Sequence, residues 1–469
     1  MYLISLIVFF IIMVIVSVYF SKKVKTVNSL MLGDKKLPWY VNSATLSASY
    51  LGSGALVGGA ALAYNVGYNA LWIFAGGWMA IGVLFFMSTK IRMFAGTTNA
   101  ELIGARFGNK ARLLASIIVI LAETAIVGYN IKGTGWVINV TTGLNVEIAT
   151  IIAAIFIIAF TVIAGYLSVA YTDLIQGIVI TIAIIVALPF VLKAVGGWEA
   201  VKAVIPSENL NPLKSFSLYE MLKTGLPTLV LVCMGQAFWQ RLFAANNTED
   251  AKKASLWWFV TVVSLSFIIM TLAVIGRVMY PDIEPSTVIM HIAKNGLPPL
   301  IGVMLLAACT CILVTTADSF LLASATVFIN DIYNKLVNPS ASEEKKVNIM
   351  RMAVVILGIL AFIQVKFFPT ILSMVFYAYT MEGGLIVVVI AAFFWKRATI
   401  TGGVLSISVI GLVTILWEIF HPFGIATIFA TLVFGAIALI VGSLLTPPPD
   451  YKYLEPFKTI NSSKNAKTA

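Results

Sequence analysis

The stretch Val314-Thr315-Thr316-Ala317-Asp318-Ser319 places four oxygen-bearing side chains in five consecutive positions, inside a long apolar run. A lone threonine in such a helix usually bonds back to the preceding turn. Four neighbours, one of them an acid, instead outline a site for a hard cation such as sodium, which takes oxygen ligands. Glu123, Asp173, Asp318 and Glu382 also fall within apolar stretches, and Arg241 falls at the end of one. On insertion scales a charge in hydrocarbon costs roughly 2.5–3.5 kcal/mol, so each of these residues needs a reason. Carboxylates outnumber bases here, which calls for a bound cation. Hydroxyls and the carbonyls released by a broken helix hold one without adding charge.

The elements that must position these groups follow from composition. Of 469 residues, 60% are apolar and 11% charged, with a mean hydropathy of +0.98. That balance excludes a water-soluble globular domain. Apolar segments of about 20 residues, the length of a bilayer-spanning helix, fill nearly the whole chain and leave no room for a separate soluble catalytic domain. The net charge of +11 comes from short Lys and Arg runs between segments, a pattern that orients helices in a membrane and does not point to nucleic acid. Cys233, Cys309 and Cys311 lie in apolar stretches and the only histidines are His291 and His421, so disulfide frameworks and zinc sites are excluded.

Threading predicts an all-α polytopic protein with thirteen spans near 2–20, 38–66, 69–92, 112–138, 146–165, 168–194, 221–244, 254–280, 298–328, 348–367, 369–395, 399–420 and 423–445. The first is followed by Lys22, Lys23 and Lys25 and preceded by no positive charge, which reads as a retained helix with its N-terminus outside. About 23 of the 31 Lys and Arg residues then face the cytoplasm, and the C-terminus lies inside. Two spans carry helix-breaking residues: 38–66 with Gly52-Ser53-Gly54 and Gly58-Gly59, and 221–244 with Gly225, Pro227 and Gly235-Gln236. Paired interruptions build the midplane sites of inverted-repeat transporters, although such glycines also serve close helix packing. The expected organisation is a first helix and loop (1–37), a first five-helix repeat (38–196), an extracellular loop (197–220), a second repeat (221–397), two C-terminal helices (398–446) and a disordered cytoplasmic tail (447–469).

The run Ala164-Gly165-Tyr166-Leu167-Ser168-Val169-Ala170-Tyr171-Thr172-Asp173-Leu174-Ile175-Gln176 resembles the signature of the sodium:solute symporters, which ends in Thr-Asp-x-x-Gln. Leu32-Gly33, Leu37-Pro38-Trp39, Gln240-Arg241, Asp331-Ile332-Tyr333 and Trp395-Lys396-Arg397 match further landmarks in order along the chain. Ala164 and Tyr166 depart from the usual glycine and leucine. The resemblance implies a LeuT-type 5+5 inverted-repeat core and sodium-driven uptake through a plasma-membrane protein acting as a monomer. It also implies a main sodium site of the Ala48, Leu51 and Ile312 carbonyls with the Thr315 and Thr316 hydroxyls. A second cation or proton site would map to Asp173, Thr315, Asp318 and Ser319. Relatives with two sodium ions carry a hydroxyl where this chain has Asp318. Tyr50, Gly54, Ala55, Glu123, Gln236, Trp239 and Tyr379 are the implied substrate contacts. Ordinary packing accounts equally well for the aromatics, and a structural bond to a neighbouring helix for Glu123 and Glu382. Gly52, Gly54 and Ala55 stand where sugar carriers have polar side chains, which favours a smaller solute such as proline. Arg241 is expected to pair with a carbonyl or an acid.

Three activities compete: sodium symport, proton-coupled symport through Asp173 and Asp318, and a channel. No filter loop or ring of like residues supports the last, and no nucleophile with a base or metal cluster supports an enzyme. Topology is open to test. A cysteine introduced beside Lys202 is expected to react with an impermeant thiol reagent in intact cells, and one near Lys464 to resist it; the reverse pattern would overturn the threading.

Overall fold

The computed structural model describes residues 2–21, 26–94 and 96–462. Lys22, Lys23, Lys25 and the last seven residues, which the sequence reading used, lie outside the described residues. Apart from one isolated bridge between Leu37 and Ala245, the regular structure described is helical. The chain runs through α1 (Tyr2–Ser21), α2 (Val27–Leu32), α3 (Trp39–Tyr50), a wide π-helical stretch (Gly54–Gly59) leading into α4 (Ala60–Val66), and α5 (Leu71–Phe94). Then come α6 (Asn99–Thr142), α7 (Val146–Ile163), α8 (Tyr166–Ala194), α9 (Trp198–Val204), α10 (Leu218–Met234) and α11 (Gln236–Ala244). α12 (Thr248–Met279), α13 (Val288–Asn295), α14 (Pro299–Val327, continued in wide turns to Val337) and α15 (Glu343–Gln364) follow. The rest is α16 (Ile371–Gly383), α17 (Ile386–Phe394), α18 (Ile400–Phe420), α19 (Thr427–Leu444) and α20 (Glu455–Ser462).

Among the described residues, eleven helical runs are long and apolar enough to cross a membrane. The broken span 38–66 does not count as one of them: its second part runs on into α5 as the single run Gly54–Phe94. Large apolar side chains face outward, among them Phe86 at 78% and Ile155 at 65% exposure. Only contact with lipid tails makes such a surface tenable.

Local sequence sets the helix ends. Ser217 and Glu220 cap α10 reciprocally, Thr98 caps α6, and extended Gly165 turns the chain into α8. Within α6, Gly108 adopts φ 82°, a conformation open to glycine, and bends off the first turns.

Both anticipated interruptions are present. α3 stops at Tyr50, and the backbone resumes in the wide stretch from Gly54 after the Ala55 and Leu56 amides both bond the Gly52 carbonyl. Gly235, at φ −52° and ψ 121°, separates α10 from α11. A third break, which the sequence reading did not foresee, divides the expected span 369–395 between α16 and α17 at Gly384-Leu385. There a Cβ on Gly383 would overlap Val230 of α10, so close approach of two helices explains the glycine.

The tail departs from its expected disorder. Residues 455–462 form α20, and Phe457, 3% exposed, stacks against Phe94 and meets Phe393 edge-on. Burying that ring offsets the entropy of ordering the segment.

α3 packs on α8 and α12, α14 on α6 and α8, and α10 on α5 and α16. The start of α3 and the end of α11 are tied by backbone bonds from Leu37 N to Ala244 O (3.1 Å) and from Asn246 N to Leu37 O (3.0 Å).

At the α5–α10 crossing, a Cβ on Gly76 would collide with the Gly225 carbonyl, and one on Gly225 would stand 2.9 Å from the Trp72 carbonyl. Gly76→Ala is therefore expected to cost about 1–3 kcal/mol, read as a lower unfolding midpoint in detergent. Gly177→Ala, whose Cβ meets nothing within 4 Å, should stay within about 0.5 kcal/mol of the parent.

Candidate functional site

The first break lies against α14. The Thr316 hydroxyl is 3.1 Å from the Ala48 carbonyl and 2.9 Å from that of Ile312, and the Thr315 hydroxyl is 3.2 Å from Ile312 O. A threonine hydroxyl has one proton to give, so three oxygens gather around Thr316 and only one contact can be a hydrogen bond at a time. Such a cluster is what a hard cation bridges. The back-bonding typical of membrane threonines is thus present for both residues, and Thr316 in addition reaches across to α3. Leu51 is buried at the end of α3, and a Cβ on the next residue, Gly52, would stand 2.6 Å from the Thr316 side chain. Glycine is what lets the break approach α14. On its other side the break is held by Asn130 of α6, whose Oδ1 accepts the Ser53 amide at 2.8 Å.

Arg241 gathers the second group. Its Nη2 lies 3.5 Å from Asp173 Oδ2 and donates to Ser319 Oγ at 2.6 Å; Nε donates to Thr45 Oγ1 at 2.9 Å and Nη1 to the Ala237 carbonyl at 2.7 Å. Thr45 in turn donates to Asp173. Asp173 and Asp318 were expected to share a cation or a proton; the Arg241 guanidinium lies beside Asp173. Asp318 is within electrostatic reach of both Asp173 and Arg241 and lies against the amide and hydroxyl of Ser319. Thr315 does not join this cluster; its hydroxyl turns back to Ile312.

Glu123 and Glu382 sit at the second break. Glu382 Oε1 accepts the Gln236 amide at 2.7 Å and Glu123 Oε1 accepts the Ala237 amide at 2.9 Å. Gln236 accepts the Asn99 amide at 2.8 Å and donates to the Thr97 carbonyl, while Trp239 Nε1 donates to the Cys233 carbonyl at 2.7 Å.

Between the breaks lies a cavity of about 20 Å³, room for about one water. Tyr50, Gly54, Ala55 and Tyr379 line it, as expected. Glu123, Gln236 and Trp239 are not among its lining residues; Glu123 Oε1, the Gln236 amide group and Trp239 Nε1 bond backbone around the second break, which corrects their assignment to substrate. Ser49, Phe74, Tyr129, Thr228, Phe238 and Phe320 complete the walls, and the sequence reading missed them. Aromatic content alone could not single them out, because rings are spread throughout the chain. No charged side chain lines the cavity. Thr316 borders both the cavity and the oxygen cluster. A second cavity of about 380 Å³ reaches Ala48 and Leu51 from the side of α8 and α12.

The sodium:solute symporter family model matches residues 30–411. The chain is 26% identical over 477 residues to a sodium/proline symporter of Haemophilus influenzae, covering 94% of each protein. It is 24% identical over 437 residues to a sodium/pantothenate symporter of the same organism, covering 88% of this chain and 89% of that one. A sodium-coupled sialic acid symporter, solved in a substrate-bound outward-open state, superposes with a TM-score of 0.83 at 18% identity, over 95% of this chain and 98% of the other. At that identity the likeness bears on the fold.

The Arg241 cluster yields a quantitative expectation. Arg241→Met strips Asp173 of its buried counter-charge and should cost about 3–5 kcal/mol. Adding Asp173→Asn should recover much of the loss in a double-mutant cycle of detergent unfolding, and strictly additive losses would show that the two side chains do not act as a pair.

Proposed function

The chain belongs to the sodium:solute symporter family, whose matched region contains every residue of the site, and on that premise we propose where its ions and solute bind. It is a multi-pass membrane transporter of LeuT-type fold that couples a small organic solute to sodium, and it is not an enzyme. The main sodium would be held by the Ala48, Leu51 and Ile312 carbonyls and the Thr315 and Thr316 hydroxyls. The position of the Thr316 hydroxyl between the Ala48 carbonyl of α3 and the Ile312 carbonyl of its own helix carries this reading. Asp318, a buried carboxyl next to Asp173, Arg241 and Ser319, is the candidate for a second cation or a proton.

The solute would occupy the cavity between the breaks. Aromatic walls, the hydroxyls of Ser49, Thr228 and Thr316, and the absence of charge among the lining residues suit a small, partly apolar molecule better than a sugar. A proline-like amino acid fits these walls, and the similarity to sodium/proline symporters supports it. With room for about one water, the cavity must open to load. That requirement suits alternating access, with the first two core helices moving against the rest. Thr316, shared by ion cluster and cavity, gives solute and sodium one common wall.

We read residues 38–196 and 221–397 as the two repeats, the N-terminus as outside and the C-terminus as cytoplasmic. We also read the transport unit as a monomer in the plasma membrane.

Reconstituted into liposomes, the protein is expected to accumulate labelled proline under an inward sodium gradient and poorly under potassium. Thr316→Ala, one hard oxygen short of about five, should need at least several-fold more sodium for half-maximal uptake and for thermal stabilisation. A parent-like sodium titration in this variant would refute the site. Sodium-driven uptake of pantothenate but not proline would refute the proposed solute while leaving the site standing.

A further inference from the structure

The N-terminus of α11 binds two carboxylates where one would suffice. Glu382 of α16 takes the first amide, Gln236, and Glu123 of α6 takes the second, Ala237. Glu382 also accepts from Asn99 Nδ2 at 3.4 Å. Both side chains are fully buried, and in each the second oxygen, Oε2, has no hydrogen-bond partner. Consecutive residues stand about 3.8 Å apart at Cα, so carboxyls bound to consecutive amides are neighbours, and each feels the other's charge.

Charge at this point does not balance if both acids are ionised. A helix N-terminus offers about half a positive charge. The cation within electrostatic reach of Glu123 is Arg241, whose guanidinium is already committed to Asp173, Thr45 and Ser319. The other cations on the elements packed around the pair, Lys90 and Arg92 on α5, Arg106, Lys110, Arg112 and Lys132 on α6 and Lys223 on α10, are not among the groups that act on either carboxyl, and Asp318, Cys309 and Cys311 on α14, Cys233 on α10, Tyr129 on α6 and Tyr379 on α16 add no positive charge. Backbone amides repel a metal ion, which removes sodium as the balancing charge. A proton removes one negative charge and turns an orphaned acceptor into a donor that its neighbour can accept.

We propose that Glu123 and Glu382 form a proton site, holding one proton between them while the second break is closed. Water admitted to the break solvates both carboxylates, and the proton passes to it. The sodium reading above matters only to the consequence that solute movement is then linked to protons as well.

Infrared spectroscopy of the purified parent at neutral pH should show the C=O stretch of a protonated carboxylic acid, shifted by carbon-13 labelling of glutamate. Glu123→Gln and Glu382→Gln, which keep an oxygen for the amides, should each abolish that band, because the remaining single carboxylate is balanced by the helix end and ionises. Asp318→Ser should retain it. In liposomes, sodium-driven solute accumulation by the parent should be accompanied by proton movement, read with a luminal pH dye, and Glu382→Gln should show none. A parent without the glutamate band, or a band that survives both glutamine variants, overturns the proposal. Should the variants fail to fold, the isotope shift in the unaltered protein still decides. Sodium-dependent thermal stabilisation, followed in the same samples, reports separately on the sodium site.

Discussion

An amide or carbonyl that leaves helix geometry inside hydrocarbon has no water to turn to, and this constraint places most of the polar side chains in the core. At the first break Asn130 takes the Ser53 amide and Thr316 meets the Ala48 carbonyl. At the second, Glu382 and Glu123 take the amides that open α11, and Asn99 takes the Met234 carbonyl at 2.7 Å. The breaks come first in the physical argument. Once glycines interrupt two spans at mid-depth, the surrounding helices must present polar groups at those heights, and the ion cluster is one product of that demand.

This explains which parts of the site were readable from the residues. Gly52-Ser53-Gly54 and Gly235 were legible as breaks because glycine clusters weaken a helix wherever they stand. Thr315 and Thr316 were legible as neighbouring oxygens in an apolar run, and Asp173 through the resemblance of its segment to a family signature. The break at Gly384-Leu385 was not, since its glycines answer to the bulk of Val230 and Ile410 on other helices, which no local pattern encodes. Glu123, Gln236 and Trp239 were assigned to the solute through the family resemblance and their nearness to the breaks, neither of which gives the direction a side chain takes around its helix. Asn99 and Asn130 drew no notice for the complementary reason: their importance lies in the backbone atoms they meet. The first helix, the all-helical architecture and the two-repeat core needed only composition, segment length and motif order.

Ions and solute are handled by different materials. The charged side chains lie behind the breaks, in contact with one another and with backbone, while the cavity itself is lined by rings, small residues and hydroxyls. A solute can then be chosen by shape, with exchange of wall residues altering selectivity and leaving the ion machinery intact. Conversely, the buried acids outnumber Arg241 around the breaks, so cations are required for the closed state to be electrically tolerable at all.

The backbone link between Leu37 and the end of α11 acts as a yoke. Two hydrogen bonds, joined by the Asn42 side chain bonded to the Arg241 carbonyl at 3.0 Å, fasten together the halves of the two broken spans that lie on one side of the cavity. Levers fastened at their free ends cannot swing separately. A tilt of α3 away from α14 would be passed through these bonds to α11, which ties the oxygens around Thr316 mechanically to the carboxylates beneath Gly235.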